Sequence, residues 1–102
     1  MEYLPIEKDS IPYQFDIDLE GDIFTFEVNY NDRFDFFTLD LMRNDNVLVY
    51  GEKIVYGQPL FESYADNQFP KVRIIPKDIG GQSDHVTYEN FYEKIFLYIE
   101  AM

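Results

Sequence analysis

The carboxylates of "DIDLEGDIFTFE", residues 16–27, are spaced as a calcium loop would space them. Counting from Asp16, Asp18 and Glu20 fall at the third and fifth loop positions, Gly21 at the sixth and Glu27 at the twelfth. An EF-hand uses that spacing to wrap short oxygen ligands around an ion at a sharp glycine turn, between two helices. Here the flanks have the wrong period. Tyr13, Phe15, Ile17 and Leu19 alternate with Gln14, Asp16 and Asp18, and Phe24, Phe26, Val28 and Tyr30 alternate with Thr25, Glu27 and Asn29, which is the pattern of half-buried strands. The fifth position also carries Glu where the shorter Asp or Asn is expected. Residues two apart on a strand stand roughly 6–7 Å apart along one face, so Asp16 and Asp18 make a ladder and not a cage. Two chemistries remain for that ladder. Asp16 and Asp18 could hold a divalent ion with a cross-strand carboxylate such as Glu27 or Asp40. Alternatively they form an acidic docking face, whose like-charge repulsion a partner's Lys or Arg would relieve.

His85 follows the Gly80-Gly81 loop and adjoins Asp84. A histidine beside a carboxylate can act as a general base, but Ser83 is too near in sequence to complete a nucleophile, base and orienting-acid arrangement. The chain has no Cys, and it lacks a HExxH motif and a glycine-rich phosphate loop. No catalytic residue, cofactor or metal ligand is assigned, and the expectation is a protein that is not an enzyme.

Charge narrows the partners. Twenty Asp and Glu against eight Lys and Arg give a formal net charge of −12 over 102 residues, a field that repels phosphate backbones and anionic lipid. Neither nucleic acid nor a membrane is an expected partner, and no apolar run approaches the roughly 20 residues that span a bilayer. The opening "MEYLPIEKDSIP" has no basic and apolar leader, so synthesis in the cytoplasm is expected. Without disulfides, stability must come from a core or from assembly. Ten Phe and nine Tyr supply large apolar areas for one such core.

The elements that must carry these residues are strands. The first two run over 13–19 and 23–30, joined through Glu20, Gly21 and Asp22 as a hairpin. A third puts Phe37, Leu39 and Leu41 on one face and Thr38 and Asp40 on the other, with Phe34 and Phe36 at a bulge or bend. After the turn "RNDN", the run "VLVYGEKIVYG" is one kinked strand or two, bent at Gly51 and Gly57. Pro59 and Pro70 bracket a loop with at most one helical turn, "KVRII" is a short strand ended by Pro76, and "KDIGGQSD" is a loop. "TYENFYEKIFLYIE" reads as a turn begun at Thr87 and then a strand buried on both sides. The whole is one all-β domain over 1–102, a small antiparallel sandwich or barrel of about six to eight short strands. Residues 1–12 form an arm, 13–60 a hairpin and meander core, and 61–102 irregular loops and closing strands.

Two aromatic groupings have a double reading. Tyr50, Tyr56, Phe61, Tyr64 and Phe69 either close one end of the core or stand exposed as anchors. The arm "YLPIE", with Tyr3, Leu4 and Ile6, either pairs along a sheet edge or reaches a neighbouring subunit. The candidate partner interface is therefore Tyr3, Leu4, Ile6, Asp16, Asp18, Asp40, Tyr50, Tyr56, Phe61 and Tyr64.

The order of several features resembles one family. These are Pro5-Ile6, Gln14 and Phe15 leading through Leu19 and Gly21, Phe24 and Phe26, and Tyr30-Asn31. Phe37 with Leu39-Asp40-Leu41, the polar turn Asn44 to Asn46, and Gly51 and Gly57 before Leu60 complete it. Together they resemble the phage baseplate plug proteins, small all-β tail proteins of contractile-tailed bacteriophages and prophages. The likeness covers the first half of the chain, to Leu60, and less specifically a loop and final strand beyond it. It implies a structural role at the centre of the baseplate, beside the hub or the end of the tail tube, with no catalytic residue to transfer. Its partners would be other tail or baseplate proteins, association of copies within the assembly being left open, and its destination the virion tail. The alternative from the residues alone is a free acidic binding module, mimicking DNA charge or holding calcium on its surface, that needs no tail partner.

Overall fold

The alternating segment that begins at Tyr13 turns back on itself within two residues. In the computed structural model, which describes residues 2–62, 64 and 67–101, the strands are β1 (Glu2–Tyr3), β2 (Tyr13–Leu19), β3 (Asp22–Asn31), β4 (Phe36–Arg43), β5 (Asn46–Lys53), β6 (Val72–Lys77) and β7 (Phe96–Ala101). They form two antiparallel sheets, ordered β2-β3-β4-β5 and β1-β7-β6, and no described residue is α-helical. The first hairpin is one residue tighter than its sequence suggests. Asp22 already pairs with Leu19, leaving Glu20 (φ 56°) and Gly21 (φ 90°) as the loop, the double positive φ of a type I′ turn whose twist matches the strands it joins. Asn44 and Asp45, at φ 53° and 64°, make the second such turn between Arg43 and Asn46.

β5 is a single kinked strand. Leu39 pairs with Glu52, Leu41 with Val49 and Met42 with Val47, so β5 carries two extra residues, one on each side of the Leu41–Val49 pair, and Gly51 at φ 68° accommodates the first. Asp40 accounts for the bend. Its alternation predicts a solvated position, yet it is 8% exposed, and its Oδ1 accepts the Gly51 N–H at 2.7 Å. Asp40→Ala is expected to leave that part-buried N–H unpaired and to cost about 1–3 kcal/mol, read as a drop in Tm of about 4–8 °C per kcal/mol.

Beyond β5 the chain crosses to the smaller sheet. Gly57 N–H donates to Pro76 O at 2.7 Å and Leu60 N–H to Ile74 O at 2.8 Å, covering the outer edge of β6. Pro76 does not end its strand as expected. It pairs with Leu97 inside β6, and because its carbonyl faces the Gly57 side, its missing N–H is one that would have pointed away from β7 and costs the ladder nothing. Ahead of β7, Thr87 N–H donates to Asn90 Oδ1 at 2.8 Å and Asn90 N–H to Thr87 Oγ1 at 3.2 Å. That reciprocal cap starts one turn, which Tyr92 at φ 60° ends.

The core lies between the inner faces of the two sheets. Phe24, Phe26, Val28, Phe37, Leu39 and Leu41 meet Leu4, Ile74, Ile95 and Leu97, all essentially inaccessible. The arm belongs to this core. β1 pairs with β7 through Glu2↔Ile99 and Tyr3↔Tyr98, so it lines a sheet edge. The buried Tyr92 hydroxyl ties it down, donating to Leu4 O at 2.7 Å and accepting from Leu97 N–H at 3.3 Å. Burial pushes the Tyr92 phenol above its ordinary value of 10.0. The folded state thus favours the neutral phenol, and this contribution is full below about pH 10 and lost as pH rises above it. Alkaline titration should show stability falling above pH 10, less steeply in Tyr92→Phe.

Candidate functional site: a docking face

The two-residue strand period that builds the core also decides what the larger sheet turns outward. Its outer face carries Gln14, Asp16 and Asp18 on β2, Ile23, Thr25, Glu27 and Asn29 on β3, Thr38, Asp40 and Met42 on β4, and Val47 and Tyr50 on β5. Three of these are apolar or aromatic and open to solvent: Ile23 at 57%, Val47 at 41% and Tyr50 at 75% exposure. Met42 lies between the first two, paired with both Thr25 and Val47.

The carboxylates around them are held in place by their own sheet. Thr25 Oγ1 donates to Asp16 Oδ1 at 2.6 Å, and Gly21 N–H to Asp18 Oδ1 at 2.8 Å. Glu27 accepts from Asn29 Nδ2 at 3.1 Å and Gln14 Nε2 at 3.0 Å, bonds that favour its charged form and hold its pKa below the ordinary carboxylate value. On the other face, at the end of the sheet, Arg43 reaches Asp22 Oδ1 at 3.1 Å and lies over the core ring of Phe24, its carbon 5.2 Å from the centroid. The result is a set of positioned carboxylates around exposed apolar side chains, an apolar and aromatic centre with a polar rim. Among the described residues, no group of three or more His, Asp or Glu is gathered as metal ligands would be.

Asp16, Asp18 and Tyr50, named from sequence, thus share one exposed face, and Asp40 lies beneath it. The other named residues are elsewhere. Leu4, Ile6 and Phe61 are core side chains, and Phe61 N–H also donates to Glu52 Oε2 at 2.9 Å. Tyr56 is half-buried, its hydroxyl accepting Asp78 N–H at 3.2 Å. Tyr64 remains 45% exposed, stacked on Phe69 at 4.9 Å beside a cavity of about 190 Å³ lined by Leu60, Phe61, Val72 and Ile74. The aromatic crowd therefore closes one end of the core, with Tyr64 and Tyr50 turned out. Tyr3, 46% exposed, lies on the outer face of the smaller sheet with Phe96 at 4.6 Å and Tyr98 at 6.0 Å.

Ile23 and Val47 are the members that sequence reasoning missed. The signal was present: each is an apolar residue at the outward phase of an alternating strand. His85 Nδ1 stands 2.7 Å from Asp84 Oδ1 with both side chains exposed, while Ser83 gives its N–H to Asp78 Oδ2 at 3.1 Å.

A family model described as cyanophage baseplate Pam3 plug gp18 matches residues 1–101, and the chain belongs to that family of phage baseplate plugs. The match runs through the second half, beyond the region where the sequence pattern is most specific. Comparison with curated proteins finds no match.

Proposed function

We propose that the protein is a non-enzymatic, plug-like component of a bacteriophage or prophage baseplate that binds hub or tube proteins through the outer face of its larger sheet. Membership of the plug family supports the structural role, a place in the virion tail and contact with other baseplate proteins. The docking face rests on one observation: Ile23, Val47 and Tyr50 stand exposed on a single sheet face among Asp16, Asp18 and Glu27. A complementary surface offers an apolar recess ringed by Lys or Arg. Apolar contacts would supply most of the affinity and the charges the orientation and rate of encounter.

The net charge of −12 argues against nucleic acid and anionic membrane as partners, and no described helix is long and apolar enough to cross a membrane. Synthesis in the host cytoplasm precedes incorporation into the tail. No cofactor enters this reading.

The test is to isolate tail particles from the producing cell, wash them in high salt and quantify the protein by mass spectrometry. It should be present at fixed stoichiometry. Tyr50→Ala combined with Val47→Asp should retain the wild-type Tm and reduce incorporation by about tenfold or more, the effect of losing hot-spot contacts. Absence of the wild-type chain from tails that assemble and infect normally would overturn the baseplate role in favour of a free acidic module. Normal incorporation of the double variant would overturn the face.

A further inference from the structure

β2 is the terminal strand of the larger sheet and, among the described residues, pairs only with β3. The type I′ turn makes Leu19 and Asp22 a hydrogen-bonded pair, and the unbroken register makes the same of Ile17 with Phe24, Phe15 with Phe26 and Tyr13 with Val28. The backbone N–H and C=O groups of Gln14, Asp16 and Asp18 therefore point away from β3. Their side chains are exposed on the outer face. On the inner side, Tyr13, Phe15 and Ile17 are only partly buried while their partners Val28, Phe26 and Phe24 are fully buried, so the core is left thin along this edge.

Open edges are ordinarily blunted by a proline, a bulge, a short length or charge. β2 is seven residues of regular ladder, and only Asp16 and Asp18 guard it. That guard is selective. A second copy pairing antiparallel would set aspartates against aspartates and be repelled, whereas a strand carrying Lys or Arg at those positions would be attracted.

We propose that β2 accepts an added strand from another baseplate protein: an extended segment alternating Lys or Arg, set beside Asp16 and Asp18, with large apolar residues that complete the core beside Phe15 and Ile17. The mode is strand addition to an open sheet edge. The identity of the neighbour rests on the baseplate role proposed above; the edge and its specificity do not.

The probe is a short synthetic peptide alternating Lys and Val, added to the isotope-labelled full chain at low ionic strength, with amide hydrogen exchange followed by NMR. Gln14, Asp16 and Asp18 amides should exchange about tenfold more slowly or better, and a peptide N-methylated on the backbone of its central Lys and the adjacent Val should protect none of them. Asp16→Asn with Asp18→Asn, close in shape to the native pair, should weaken the protection, and Asp16→Lys with Asp18→Lys should remove it. Unchanged exchange at these amides, protection confined to another strand, or protection that grows with protein concentration in the absence of peptide would each overturn the proposal. A chain absent from tails whose β2 still takes up the peptide would defeat the baseplate role and leave the edge standing.

Discussion

Phe37→Ala should cost about 3–5 kcal/mol, the range for removing a large buried aromatic ring. Phe37 is wholly buried, and its ring centroid lies 4.1 Å from Phe91, 4.6 Å from Tyr30 and 6.1 Å from Tyr88. These neighbours cannot easily collapse into the space. Asp35 Oδ1 fixes two of them, accepting from Tyr30 Oη and from Tyr88 N–H, each at 2.8 Å, and Phe91 is held by its own bond to Thr87 O at 3.0 Å. The cavity would open where β4 meets the turn that precedes β7, so it would weaken the contact between the first and second halves of the chain. Domains of this size hold about 5–15 kcal/mol in all, and the variant should be near the limit of folding. Denaturant unfolding at constant slope measures it. Phe34→Ala, at a position 69% exposed, is the control and should change stability by about 0.5 kcal/mol or less. A Phe37→Ala loss no larger than the control's would contradict the packing.

What the sequence made legible follows from how local each signal is. β2, β3 and β4 are read directly, because alternation over seven or more residues fixes both the element and the face it buries, and the turns are marked by Gly21 and by Asn44-Asp45, residues that tolerate positive φ. Asp40 obeys the same alternation and still ends up buried, because the extra residue beside Gly51 creates an amide that needs an acceptor, and a bulge is a property of two strands together. Pro76 was misread for a related reason: whether a missing N–H matters depends on which side of the strand it would face, and that is set by β7, some 20 residues later. The proposed docking face was half legible. Its acidic members on β2 and the cross-strand carboxylates Glu27 and Asp40 were identified, but that Val47 and Tyr50 of β5 stand on the same face depends on the sheet order. The smaller sheet was least legible, since it joins the first residues of the chain to the last.

Leu4→Ala tests that non-local joint and should cost about 2–5 kcal/mol, although it changes a residue in a short arm that resembles a free tail. Leu4 is fully buried among both sheets' inner side chains, its N–H donates to Leu97 O at 3.0 Å, and its carbonyl accepts the Tyr92 hydroxyl. β1 itself supplies only two registered pairs, too little to hold the arm without the side chain that anchors it. Losing the anchor should therefore release the segment before β2 as well as lower the global stability, so limited proteolysis should cut the variant within residues 1–12 faster than the wild type. Tyr3→Ala separates the two sides of the strand. Tyr3 faces outward against Phe96 and Tyr98, and its removal should cost about 0.5–1.5 kcal/mol in lost aromatic contact, leaving the arm in place. The opposite order of effects, with Leu4→Ala silent in the isolated chain and harmful only to tail incorporation, is what an arm reaching into a neighbouring subunit would give. That result would remove Leu4 from this core and place it in an interface.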